Sequence, residues 1–361
     1  MKVLVLANAL KGSLKASEIC KIFNKFKSFA ISDGGDGFLE SVLQAKPKAK
    51  KVSITIPNAI LKRKKTYFLM TDNCAFIESA KICPMANLKK SELNIMRASS
   101  IGLGLVIKEA IKLGAKQIFI GLGGVASSEG GADSAKVFGY QFLDKDKNPL
   151  ELGAKALLNL NKIIPPQKNL LKNIKITAVC DVNNKLLGKK GSAKVYGRQK
   201  GASTKEILLL EKALSNYAKI VKKDLKINID TKYCASAGAI ASGLKGLFKA
   251  DLIEGSKYIS KLLELDKKIK QADLIITTEG TLDEQTFFGK APFEICRLAK
   301  KYKKPIIFIC GQNKLKNKNI LKQNNIEKVI ELKRHAKSIK QSMSEAKKLL
   351  KKILKEELNY L

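Results

Sequence analysis

The densest cluster of chemically useful side chains lies between Thr277 and Pro292, written TTEGTLDEQTFFGKAP. An apolar run delivers Glu279, Asp283 and Gln285 within a few residues, and Lys290 follows just before a candidate helix. Carboxylates can hold a divalent cation or take a proton from a hydroxyl, and a lysine can neutralise phosphate. Gly280, Gly289 and Pro292 punctuate the stretch at points where a random solvated loop has no need of them. A second phosphate-suited element is Lys11-Gly12-Ser13, directly after the first apolar run. It keeps only the tail of a P-loop pattern, because the upstream glycine is absent. Ser13 is also a candidate helix cap there.

Three more constellations carry the same kind of chemistry. Asp33-Gly34-Gly35-Asp36-Gly37 sets paired carboxylates around glycines, which suits either Mg²⁺ or a polar turn. The loop Gly121–Gly131, GLGGVASSEGG, brings Gly123, Gly124, Ser127, Ser128 and Gly130 after an apolar strand. So many small residues suit an oriented nest of backbone amides facing an anion. Finally, Asp181 follows the run Ile174–Cys180, at a strand's carboxyl end, where open α/β sheets bind ligands.

The elements that must position these groups alternate as strands and helices. Val3–Leu6, Lys51–Ile56, Gln117–Ile120, Ile174–Cys180, Asp273–Thr277, Pro305–Cys310 and Lys328–Leu332 read as strands, and Tyr67 to Ile82 is strand-like. Helices are expected over Ala16 to about Lys27, Gly104 to Leu113, Ile207–Lys222 and Pro292–Lys301. In the closing segment Ile339, Met343, Ala346, Leu350, Ile353 and Leu354 share one helical face. Continuous apolar strands imply a parallel sheet buried on both faces. The two chain ends resemble each other in style, which predicts one discontinuous α/β domain over residues 1–62 and 265–361. A second α/β domain over 63–264 would carry the glycine-rich loop.

Composition narrows the function further. The 361 residues carry a formal charge of +37, almost all of it lysine spread along the chain, with arginine only at Arg63, Arg97, Arg198, Arg297 and Arg334. Diffuse lysine argues against specific nucleic-acid recognition, while favouring encounter with anionic small molecules. The lone His335 excludes a histidine-rich zinc site, and the seven scattered cysteines form no CxxC pair, as expected of reduced thiols. No signal-peptide pattern and no apolar stretch of about 18 residues is present, which predicts a cytoplasmic protein without a membrane span.

In order along the chain, these motifs resemble those of the bacterial-type glycerate kinase family (type I/II). Asn8–Ala16 resembles its DSFKGSLSA stretch, Ser32–Phe38 its ADGGEGT, and Gly123–Gly131 its GGSATNDGG. Cys180–Gly188 and Tyr196–Ala202 resemble its CDVDNPLLG and FGxQKGA, and Ile276 to Pro292 nearly completes its ITGEGxxDxQTxxGKxP. The resemblance implies a flavodoxin-like open parallel sheet from both chain ends plus an inserted α/β domain, with the active site in the cleft between them. It implies ATP and Mg²⁺ as cofactors, and phosphorylation of D-glycerate to phosphoglycerate (2-phosphoglycerate) and ADP. Asp33, Asp283, Glu279 and Lys290 are the expected catalytic residues, with Asp33 and Asp283 favoured as base. Lys11, Ser13, Gly34, Gly35, Gly123, Gly124, Ser127, Ser128, Gly130 and Gln285 would bind nucleotide or anion, and Asp181 and Glu279 metal. Asn8, Phe38, Val125 and Asn183 depart from the family pattern. They leave open another small hydroxy acid as acceptor, or a nucleotide-binding paralogue without turnover.

Overall fold

The computed structural model describes residues 1–361 apart from Asn87, Phe288, Lys318, Tyr360 and the side chain of Gln285. The chain divides into two compact units, one of residues 1–33, 40–47 and 255–361, the other of 34–39 and 48–254.

The first unit is built on a five-stranded parallel sheet. Its strands lie in the order Ile326–Glu331, Ile306–Asn313, Leu274–Leu282, Val3–Ala7, Lys27–Ala30. Numbered within the unit, that is the 2-1-3-4-5 order of flavodoxin-like sheets. Successive connections leave Val3–Ala7 on one side and Leu274–Leu282 on the other, so the topological switch point falls between these two strands. Their burial explains the unbroken apolar runs: Val5, Leu6, Ile275 and Ile276 are fully buried, with helices packed over the sheet. Ile19, Phe23, Ile309, Leu350 and Ile353 close the core on one face.

The second unit carries a six-stranded sheet in the order Asp251–Glu254, Lys175–Cys180, Gln117–Leu122, Cys74–Glu78, Arg63–Thr71, Lys50–Pro57. The first four strands are mutually parallel, and the last two form an antiparallel hairpin edge. A 22-residue helix, Thr204–Leu225, opens with a capping box in which Ser203 accepts from the Glu206 amide. Its Leu210, Leu214, Tyr217 and Val221 are buried in the unit's core.

Several expectations shift. The strand Lys50–Pro57, placed by sequence in the first domain, pairs with Arg63–Thr71 and so lies in the second unit. The first helix stops at Ile22 rather than near Lys27, because Lys27–Ala30 pairs with Val3–Ala7 as a strand. The strand read as ending at Thr277 continues to Leu282, since Thr281 and Leu282 keep register with Gln312 and Asn313. The single C-terminal stripe is two helices, Ile339–Ser344 and Ala346–Glu356. Only the second buries it; Ile339 and Met343 stand 47% and 43% exposed. His335 lies 3.0 Å from the Glu357 carboxylate.

Candidate active site

In the first unit, several of the candidate residues lie near the carboxyl ends of Val3–Ala7 and Leu274–Leu282, the position where open α/β sheets take ligands. The Thr278 hydroxyl donates to the Asn8 carbonyl at 2.5 Å, tying the two strand ends together. Gly280 is required beside them, because a Cβ there would stand 2.9 Å from the Lys11 amide nitrogen. Glu279 is buried toward the carboxyl end of its strand, and its Oε1 accepts from Lys290 Nζ at 3.4 Å. Its Oε2 is also buried and has no hydrogen-bond partner among the described residues. Burial pushes this carboxyl above its ordinary value, against the pull of Lys290 and Thr286, and the Asp33 charge adds to the rise.

Lys290 is the cap residue of the helix Ala291–Lys301, whose first turn carries Pro292 where a missing N–H costs nothing. The first amide of that helix, from Ala291, donates to Asp33 Oδ1. Burial raises the Asp33 carboxyl, opposed by this hydrogen bond and by Lys290 and Lys11. Asp33 therefore joins Glu279, Lys290 and Lys11 in one electrostatic cluster. Asp283 sits next to it and is engaged locally: the Thr286 amide donates to its Oδ1 at 3.3 Å. Ser13 is not left for a ligand, because its hydroxyl donates to the Met343 carbonyl at 2.6 Å. It does not cap the following helix either, whose cap position is Lys15. The Gln285 side chain lies outside the described residues.

In the second unit the loops again leave the carboxyl ends of parallel strands. Glu78 and Ser79 follow Cys74–Glu78, the glycine-rich loop follows Gln117–Leu122, and Asp181 follows Lys175–Cys180. Gly123 is tied to Ser79, whose hydroxyl donates to the Gly123 carbonyl at 3.1 Å and lies 3.2 Å from its amide. Glycine is obligatory at this crossing. A Cβ on Gly123 would meet Asp181 Oδ2 at 2.7 Å and the Gly35 Cα at 2.8 Å, and one on Gly124 would meet Asp36 Oδ1 at 2.8 Å. Gly34, held at φ +102°, approaches Val179 as closely.

Asp36 and Asp181 thus both abut the Gly123–Gly124 pair. This end of the loop suits a cation-bridged phosphate better than a bare anion. Mg²⁺ is commonly held by one or two carboxylates together with substrate phosphates, so the donor set fits it. Among the described residues no three His, Cys, Asp or Glu side chains form a metal cage.

The other end of the loop faces inward: Ser127, Ser128 and Glu129 are all buried. Glu129 Oε1 accepts from the Ser100 amide at 3.1 Å and from the Ser100 hydroxyl. Burial and the nearby Asp133 charge raise its carboxyl. Ser127 and Ser128, expected among the residues that bind nucleotide or anion, are gripped from inside by Lys200, whose Nζ donates to the Ser127 carbonyl at 2.6 Å and the Ser128 hydroxyl at 3.0 Å. Gly130, at φ +71°, lies against the Tyr217 ring.

Lys200 and Asp36 were not among the sequence-predicted site residues. Lys200 stands between Gln199 and Gly201 in the stretch Tyr196–Ala202, where the FGxQKGA-like pattern marks it but its residue type alone does not separate it from the many surface lysines. Asp36 was legible as half of a carboxylate pair.

With this geometry in place, similarity to known proteins becomes informative. A sequence model of the Glycerate kinase family matches residues 3–360. "Glycerate 2-kinase" of Escherichia coli (strain K12) is 32% identical over 324 residues, covering 86% of this chain and 85% of that protein. "Glycerate kinase" of Bacillus cereus (strain ATCC 10987 / NRS 248) is 32% identical over 325 residues, with 86% and 85% covered. A crystal structure from Salmonella typhimurium LT2, of a protein assigned as glycerate kinase 2, superposes with a TM-score of 0.76 at 27% identity. It covers 100% of this chain and 98% of its own. The flavodoxin-order sheet, the switch-point cluster and these matches agree: the chain belongs to the glycerate kinase family.

Proposed function

We propose that the protein is a cytoplasmic kinase that transfers the γ-phosphoryl group of ATP to D-glycerate, giving 2-phosphoglycerate and ADP. The observation that carries this reading is the buried Glu279, with one oxygen on Lys290 and the other without a partner among the described residues. A raised carboxyl with an unused oxygen is what a base for a sugar-acid hydroxyl requires. In this reading Glu279 Oε2 accepts the proton of the glycerate hydroxyl as the hydroxyl oxygen attacks the γ-phosphorus and ADP departs. Lys290 and Lys11 offset the charge on the transferring phosphate. Asp33 holds the start of the helix Ala291–Lys301 and so fixes Lys290, which makes it a positioning residue rather than the base. Asp283 orders the adjacent turn through Thr286. In the second unit the glycine-rich loop and the Asp36 and Asp181 carboxylates would bind the Mg²⁺-complexed phosphates. The metal would supply charge neutralisation there. The ion pair with Lys290 makes Glu279 a poorer metal ligand than either aspartate. No helix of the described residues is long and apolar enough to cross a membrane.

The test is ADP release with ATP, Mg²⁺ and D-glycerate, set against L-glycerate, no acceptor, and a Lys290→Ala variant. Turnover should depend on D-glycerate and fall about 10²-fold or more in the variant, as for removal of one preorganised charge stabiliser. Turnover no higher than the acceptor-free blank would sink the glycerate assignment.

A further inference from the structure

Lys200 is 3% exposed in the second unit. A lysine leaves water this completely only where the surrounding groups compensate it. Two of its donors are accounted for on one short segment, the Ser127 carbonyl and the Ser128 hydroxyl. The carboxylates facing it, Glu129 and Asp181, favour its charged form, as does Cys83, while burial pulls the ammonium down to about 8. Loss of that proton would still leave two N–H groups for the same two acceptors.

Gly238, at φ +59°, packs beside the ammonium on the same carbonyl. A Cβ there would overlap the Ser127 carbonyl oxygen and stand 2.5 Å from Lys200 Nζ. The Ser127 carbonyl therefore meets both an ammonium and a backbone that cannot carry a side chain. Ser127 Oγ and Glu129 Oε2, both buried, have no hydrogen-bond partner among the described residues. The Ser127 carbonyl also accepts from the Ser128 hydroxyl at 2.9 Å.

We propose that Lys200 is a positioning residue for the glycine-rich loop: from the inside it fixes the Ser127–Ser128 backbone, and so sets the outward presentation of Gly123–Gly124 and Asp181 to the phosphate-bearing ligand. The ligand half of this inference rests on the role given to the loop above. The clamp itself does not.

Two readouts separate them. Amide hydrogen exchange over residues 123–131, measured on the unliganded protein, reads the clamp. Lys200→Met removes every donor and is expected to speed exchange in that window selectively. Lys200→Gln keeps a neutral donor and should restore much of the protection. Steady-state kinetics reads the ligand: KM for Mg·ATP should rise about tenfold in Lys200→Met with kcat changing far less, and Lys200→Gln should recover part of it. Ser128→Ala leaves the lysine in place but removes one of its acceptors, together with the bond from the Ser128 hydroxyl to the Ser127 carbonyl. It should raise the same KM about two- to fivefold, and it serves if Lys200→Met does not fold.

Unchanged exchange in the folded variants overturns the clamp. Faster exchange with KM unchanged overturns the positioning role and leaves Lys200 structural. Ser128→Ala indistinguishable from the parent in both readouts overturns the proposal even if Lys200→Met is unfolded. Faster exchange in a protein that never turns over D-glycerate refutes the assigned reaction, while the clamp stands.

Discussion

Glu279→Gln is expected to lower kcat by about 10²- to 10⁴-fold, the range for removal of a general base, with thermal stability unchanged or slightly raised. Glutamine preserves the shape of the side chain and can still meet Lys290 through its carbonyl oxygen, but it cannot accept a proton. The stability half of the expectation follows from the sign of the linkage. Burial holds this carboxyl above its ordinary value of 4.5. The folded state therefore keeps a proton that the unfolded chain has already lost. Its contribution to stability is present in full below 4.5 and declines as pH rises through the folded value. At neutral pH an ionised, desolvated Glu279 is a cost that glutamine relieves. Catalysis runs the other way: a base works only when deprotonated, so kcat/KM of the parent should fall as the medium is acidified, with a limb lying above 4.5. A pH–rate profile of both proteins checks this. A residual rate in Glu279→Gln that keeps the parent's acid limb would move the base to Asp33 or Asp283, the two residues that sequence alone favoured.

That reassignment shows where the sequence stopped informing. The stretch Thr277–Pro292 announced its chemistry through residue types, yet Glu279 and Asp283 within it and Asp33 outside it look equivalent in one dimension. They separate only through their partners in the fold: the Ala291 amide satisfies Asp33 across 258 residues, and the Thr286 amide, three residues on, satisfies Asp283. The same holds for architecture. The apolar runs of the first unit were legible because each strand is buried on both faces, and their style alone joined the two chain ends. Lys50–Pro57 was misplaced because its burial alternates at a sheet edge, and its true partner, Arg63–Thr71, opens with Arg63-Lys64-Lys65, which disguises a strand as a charged turn. Ser13 looked like a phosphate ligand beside Lys11, but the Met343 carbonyl that takes its proton lies 330 residues away. Glycine patterns were more informative. The glycines that pack against ligand-bearing turns stood out in sequence, since close backbone approach leaves no alternative residue.

Gly121→Ala tests the role of these close backbone approaches, and Gly114→Ala is its internal control. Gly114 precedes the strand Gln117–Leu122 of the second unit and Gly121 lies within it, and they are required for opposite reasons. Gly114 ends the helix Ile101–Lys112 at φ +93°, with nothing within 4 Å of where a Cβ would go. Alanine there meets only the left-handed backbone cost of about 1–2 kcal/mol. Gly121 has no such conformation, but its Cβ would press on the Phe38 ring at 2.5 Å and overlap the Gly34 carbonyl oxygen. Its neighbours are a fully buried ring and main chain, neither of which can turn aside, so overpacking of about 1–3 kcal/mol is expected. The consequences for activity should diverge more than those for stability. Gly114→Ala should lower the melting temperature by a few degrees and leave kcat and both KM values as they were. Gly121→Ala must push away the turn Gly34–Phe38, which carries Gly35 against Gly123 and Asp36 against Gly124. It should cost at least about tenfold in kcat/KM, since small displacements of positioned groups are felt this strongly. Equal activities in the two variants, at comparable losses of stability, would mean that the Asp33–Gly37 turn packs the sheet and does not serve the reaction. The phosphate-binding role would then fall to the loop beyond Gly124 alone.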